Sequence, residues 1–174
     1  MIKILVVLGV VLFAAVVVLA MRKPDTFSVR RTASIEAPPE RIAAHIADFK
    51  RWIDWSPFEK LDPAMRRAFS GPAAGKGSVY AWEGRGKVGA GRMEIAEASP
   101  SRITILLDFE KPIEGRSIAA FTLEPRGDAT EVTWSMDGPN PFVAKVMQVF
   151  VDTEAMLGRD FEAGLADLKA AAEG

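Results

Sequence analysis

An α+β domain, a curved antiparallel sheet of about seven strands wrapped around a long C-terminal helix, is the fold class this sequence predicts. Three observations carry it. Between residues 65 and 137, apolar side chains recur at alternate positions in segments separated by glycine- and proline-rich breaks, the pattern of strands joined by tight turns. From 141 to 172 the period lengthens: Val143, Met147, Phe150, Leu157, Phe161, Leu165 and Leu168 recur at three- and four-residue steps. That places them on one stripe of a helix of roughly 30 residues, about 45 Å long. The third observation sets an appendage apart: residues 4–21 carry no charge and are apolar throughout if Gly9 is included.

As a helix, that N-terminal run spans about 27 Å, close to the hydrocarbon thickness of a bilayer, and Lys3 and Arg22 can snorkel at its ends. The expectation is a transmembrane anchor over 1–23, crossing the membrane through residues 2–21. A signal peptide cleaved near Ala20 is the alternative, since Val18 and Ala20 satisfy a small-residue cleavage rule. The run is longer than a usual signal core and has one lysine before it, which favours retention. Arg22, Lys23, Arg30 and Arg31 weakly favour a cytoplasmic domain by the positive-inside rule. A connector, 24–26, follows, and the domain occupies 27–172.

Within it, 27–35 reads as a first strand. Pro38, Pro39 and Glu40 suit the first turn of a helix, where missing amide donors cost little; it runs to about Ala47 with Ile42 and Ile46 on one side. Asp48 is placed to cap a second short helix through Ile53, which Ser56-Pro57 ends. Strands are expected at 65–70, 78–83, 89–98, 102–110, 116–124 and 130–137. The intervening Gly71-Pro72, Gly75-Lys76-Gly77, Ser99-Pro100 and Pro125-Arg126-Gly127-Asp128 are turn chemistry. Links this short make successive strands antiparallel neighbours.

The 174 residues carry a net charge of −1. The first 26 hold Lys3, Arg22, Lys23 and Asp25, so the remainder has 19 basic and 22 acidic side chains, a net charge of −3. That balance argues against a nucleic-acid partner. With no cysteine, disulfides, thiol catalysis and thiolate metal sites are excluded. Gly84-Arg85-Gly86-Lys87 lacks the glycine spacing and following Ser/Thr of a phosphate loop. No cofactor and no metal is implied, and nothing specifies an oligomeric state.

Several runs go beyond periodicity: Trp52-Ile53-Asp54-Trp55-Ser56-Pro57-Phe58-Glu59, Asp62-Pro63, Phe69-Ser70-Gly71, Tyr80-Ala81-Trp82-Glu83-Gly84 and Val88-Gly89-Ala90-Gly91-Arg92-Met93. Val132-Thr133-Trp134-Ser135-Met136 and the stretch from Met156 to Lys169 complete the set. In these runs, and in its order of strand, two short helices, six-strand meander and long helix, the sequence resembles the bacterial polyketide cyclase/dehydrase-like (SRPBCC) group. That group belongs to the START/pollen-allergen superfamily with its helix-grip fold. The resemblance covers about residues 27–172 and implies fold and subgroup. Many members similarly carry one N-terminal span, which implies a single-pass bacterial inner-membrane protein, or a secreted or periplasmic one if the span is cleaved. The superfamily includes lipid carriers, polyketide binders, cyclases and stress-linked regulators, so fold alone does not select a role.

Trp52, Trp55 and Phe58 are spaced three apart, Tyr80 and Trp82 share one strand face, and Trp134 and Met136 share another. They fill a core or line a ligand cavity between sheet and C-terminal helix, with Phe150 among the cavity residues, and Met93, Met136, Met147 and Met156 suit either environment. Glu154 sits between Phe150 and Leu157 at near-helical spacing and enters such a cavity or flanks it. Glu154 and Tyr80 are the two candidates for an acid or base. His45, the only histidine, has no partners grouped for a triad or metal site. Three functions follow: membrane-tethered binding of a hydrophobic small molecule or lipid in a cavity walled near Trp82 and Trp134; a cyclase/dehydrase-like enzyme on an apolar substrate; or a non-catalytic interaction or stress-response domain with a filled core.

Overall fold

Alternating strands pair in the order in which they are made. The computed structural model describes residues 2–86 and 88–174; Met1, and Lys87 of the expected 84–87 turn, lie outside them. Helix α1 (Ile2–Met21) precedes β1 (Thr26–Ile35), α2 (Pro39–Ile46), a 3-10 turn (Phe49–Arg51), α3 (Trp52–Trp55) and a second 3-10 turn (Pro57–Lys60). Strands β2 (Arg66–Ser70), β3 (Val79–Glu83), β4 (Ala90–Ala98), β5 (Arg102–Lys111), β6 (Gly115–Arg126) and β7 (Ala129–Pro139) follow, then α4 (Phe142–Phe150) and α5 (Thr153–Glu173). The seven strands form one antiparallel sheet in the order β1-β7-β6-β5-β4-β3-β2. The first strand closes on the last, with Val29 opposite Met136 and Arg31 opposite Trp134.

Period-two alternation turns Ile103, Ile105 and Leu107 of β5, Ala119, Phe121 and Leu123 of β6, and Val132, Trp134 and Met136 of β7 inward, all buried. Phe161, Leu165 and Leu168 of α5 are buried with them in one core. Close approach of helix to sheet depends on Gly164: a Cβ there would sit 2.8 Å from the Trp134 ring and 2.9 Å from Pro57. Asp48 does cap, accepting from the Lys50 amide at 3.0 Å.

The expected single helix over 141–172 is two. Val151 is extended at φ −132°, ψ 130°, and the Asp152 carboxylate accepts from the Ala155 amide at 2.9 Å. That satisfies an orphan donor of a new helix start, and Glu154 lies in its first turn, where an acid meets the positive end of the helix dipole. The break rotates the expected stripe apart. Phe161, Leu165 and Leu168 reach the core, while Val143, Met147 and Phe150 are exposed. At the other end of the chain, α1 is 20 residues long, long and apolar enough to cross a membrane. Only its end, at Ala20, is buried, and α4 lies against it.

Candidate functional site

A groove opens where the two C-terminal helices part. Its volume is about 920 Å³, within the range of small-molecule sites. Phe27 and Val29 of β1 wall one side, and Ala144, Met147 and Phe150 of α4 the other. Leu157 and Glu154 of α5, Ile113 of the β5–β6 turn and Lys23, just past the end of α1, also line it. Gly138 sits opposite Phe27, and a Cβ on it would come 2.8 Å from the Phe27 ring and 2.6 Å from the Ser117 hydroxyl. The Phe27 ring therefore lies down over the glycine.

A polar cluster fixes α4 beside the connector. The Asn140 amide donates to the Asp25 carbonyl at 2.7 Å, and its Nδ2 donates to the Pro24 carbonyl at 2.9 Å. Gln148 Nε2 donates to Asn140 Oδ1 at 2.9 Å, and Asn140 Nδ2 lies 3.1 Å from Gln148 Oε1. Lys145 Nζ donates to the Asp25 carboxylate. That hydrogen bond, and then the Lys145 charge, hold the Asp25 carboxyl below its usual range.

The opposite end of the interior is filled by rings. Trp134 stacks on Phe161 at 4.0 Å and 3° and on Phe121 at 4.9 Å. Trp55 meets Trp134 edge-on at 5.7 Å, Phe58 meets it at 6.3 Å, and Trp52 lies 4.8 Å from Trp55. The indoles of Trp52, Trp55 and Trp82 donate to the carbonyls of Ile46, His45 and Val88 at 2.9, 3.2 and 3.2 Å; Trp134 Nε1 has no partner among the described residues. Met93 and Met136 are buried in the same core. The residues singled out from sequence thus divide. Met147, Phe150 and Glu154 line the groove, while Trp52, Trp55, Phe58, Tyr80, Trp82, Met93, Trp134 and Met136 do not. The groove is not walled by Trp82 and Trp134; their side of the domain is packed.

Tyr80 belongs to a buried ionic cluster. Its hydroxyl donates to Glu59 Oε1 at 2.5 Å, and Arg67 Nε donates to Glu59 Oε2 at 2.7 Å. Burial first, then the Glu59 hydrogen bond and charge, push the phenol well above its usual range, so the neutral form, a hydrogen-bond donor, is favoured. Glu59 stands out in the structure as a buried acid but not in the sequence, because its partners come from β2 and β3. His45 is held below its usual range by burial and then by the Arg51 charge; it lies outside the groove. Among the described residues no group of three or more His, Asp or Glu side chains is placed to hold a metal ion.

Sheet, gripped helix and lateral groove define a helix-grip domain, a fold consistent with holding a hydrophobic ligand. Residues 26–173 match the family described as polyketide cyclase / dehydrase and lipid transport, and the chain belongs to it. No curated protein matches the chain. Among solved structures, the Aha1 dimer from Colwellia psychrerythraea is similar at 18% identity and TM-score 0.59, over 84% of this chain and 96% of that one. The di-domain ARO/CYC BexL from the BE-7585A biosynthetic pathway is similar at 18% identity and TM-score 0.61, over 91% of this chain and 53% of that one. KanY protein is similar at 20% identity and TM-score 0.57, over 86% and 99%. At these identities the likeness shows the fold.

Proposed function

We propose that this protein is anchored in a bacterial inner membrane by α1 and binds a hydrophobic small molecule, a lipid, in the groove between β1, α4 and α5. The observation that carries this is the groove itself: about 920 Å³, walled by Phe27, Val29, Met147, Phe150 and Leu157, at the end of the domain where α1 joins. Apolar walls supply affinity in proportion to the area removed from water. Lys23, Thr153 and Glu154, among the polar residues of the lining, supply contacts that orient a head group.

Cyclisation or dehydration would need an acid or base aimed at bound substrate. The carboxylates lining the groove are Asp152 and Glu154; Asp152 is engaged in capping α5, and Tyr80 lies elsewhere, bonded to Glu59. No feature of the groove favours a catalytic reading over a binding one.

Native mass spectrometry of the gently extracted full-length protein tests the proposal. Annular lipid is common to all variants, so the informative comparison is with Ala144→Trp, whose indole fills the groove. The wild type retains a defined extra mass that Ala144→Trp lacks. Equal retention by both proteins, or no retained mass even after added lipid extract, contradicts the proposal.

A further inference from the structure

On a helix facing water, polar side chains turn outward and apolar ones inward. In α4 the arrangement is reversed. Its one charged residue, Lys145, is 8% exposed, and Gln148 is half-buried; both point into the protein, to Asp25 and Asn140. Outward stand Phe142, Val143, Met147 and Phe150, at 51, 58, 49 and 71% exposure. Spacing explains the inversion: positions 143, 147 and 150 share one helical stripe, and 145 and 148 share another. The outward stripe continues through exposed Val151 and Met156.

Soluble monomers rarely expose contiguous apolar surface of this kind without a use for it. Its position says what covers it. Helix α4 lies against α1, so the exposed face begins where a 20-residue apolar helix ends. Arg22 and Lys23, exposed just past that end, stand where phospholipid head groups would meet them. The Asp25–Lys145 pair and the Asn140 bonds to Pro24 and Asp25 hold α4 at that level.

We propose that the outward face of α4 is embedded in the interfacial layer of the phospholipid leaflet that α1 enters, so that the groove opens onto lipid and not onto water. This rests on the membrane reading of α1 given above. A helix with its apolar face among the upper acyl chains and its polar face turned away is a stable arrangement in that layer. It lets a lipid slide past Met147 and Phe150, which belong both to the outward face and to the groove, without crossing water.

Because the chain has no cysteine, each introduced cysteine carries a unique spin label. The full-length protein is reconstituted into vesicles of phosphatidylcholine and phosphatidylglycerol, labelled in turn at Val143→Cys, Phe150→Cys, Leu12→Cys and Glu97→Cys. Collision with oxygen, which partitions into lipid, is compared with collision with a water-soluble nickel chelate. The expected result is a severalfold preference for oxygen at 143 and 150, as at 12, and the reverse at 97, on the exposed end of β4. Nickel-favoured labels at 143 and 150 with oxygen-favoured Leu12→Cys overturn the inference and leave the anchor intact. Labels at 143 and 150 shielded from both reagents overturn it in favour of a second copy of the chain covering the face. A water-exposed label at Leu12→Cys removes the membrane reading and the inference together. Retention of lipid in the groove is read separately, by the mass comparison with Ala144→Trp.

Discussion

At one end of the curved sheet Trp134 lies against both Phe121 and Phe161, with ring separations of 4.9 and 4.0 Å. At the other end the same strand reaches Gly138, beside Ser117 and under the Phe27 ring, and the groove opens. Strand pairing is continuous between the two ends; side-chain volume is what differs. Where α3 and the second 3-10 turn supply Trp52, Trp55 and Phe58, α5 and the sheet close on rings. Where α4 turns its polar residues inward and its apolar ones outward, they do not close. The fold therefore builds a rigid half and an open half from one sheet, and the open half is the one beside α1.

The largest effect that sharpens this contrast is expected at Trp134. Removing a fully buried indole leaves a cavity, and Trp134→Ala should lower stability by about 3–5 kcal/mol, read as the shift of a urea midpoint. Met147→Ala, at a half-exposed position, should cost less than about 1 kcal/mol yet reduce the retained lipid mass. If the two variants cost the same, the two halves are not differently packed.

A second, smaller effect is expected at Tyr80. Unfolded, the phenol releases its proton near pH 10.0; folded, its pKa is raised by burial and Glu59. The folded state thus holds a proton that the unfolded state has lost. The contribution is complete below pH 10 and falls as pH rises towards the folded pKa. The stability difference between wild type and Tyr80→Phe should be constant at neutral pH and decline above pH 10 in alkaline urea titrations. A difference unchanged through that range would show that burial and Glu59 do not hold the phenol neutral.

The smallest effect is local. Asp25→Asn removes the charge facing Lys145 and should speed amide exchange in α4 at neutral pH while leaving α5 unaltered. The Asp25 pKa is lowered in the folded state, so the pairing is present above about 3.8 and is lost as pH falls through the lower folded value. The difference between wild type and variant should therefore narrow under acid. Equal exchange at neutral pH would mean that the pair does not hold α4 in place.

Much of the architecture was legible in residue order. Alternation in 102–110 and 130–137, with glycine and proline at the breaks, specifies neighbouring antiparallel strands, and the Pro38-Pro39-Glu40 start specifies α2. The division of the C-terminal helix is not legible in residue order because the apolar spacing of Phe150 and Leu157 continues across the break. Asp152 before Thr153-Glu154-Ala155 carries the signal in retrospect, as an N-cap followed by an acid. The groove was harder to see. It forms where β1, α4 and α5 meet, segments far apart in the chain, and no motif marks that meeting. The large aromatics mark the half of the interior that they fill. Lys145 and Gln148, three residues apart among apolar neighbours, were the readable sign that α4 faces the protein with its polar side. The Glu59–Arg67–Tyr80 cluster joins a turn to two strands, and no local spacing encodes it.

Photocrosslinking in native membranes tests the central claim most directly. Cells expressing the full-length protein are fed a fatty acid with a photoreactive group along its chain, irradiated, and the labelled peptides are mapped. Lipid held in the open half should mark peptides containing Phe27, Met147, Phe150 or Leu157, in addition to α1. Labelling of peptides containing Trp55, Trp82 or Trp134, with none in β1, α4 or the start of α5, would place the ligand in the ring-filled half and contradict the account.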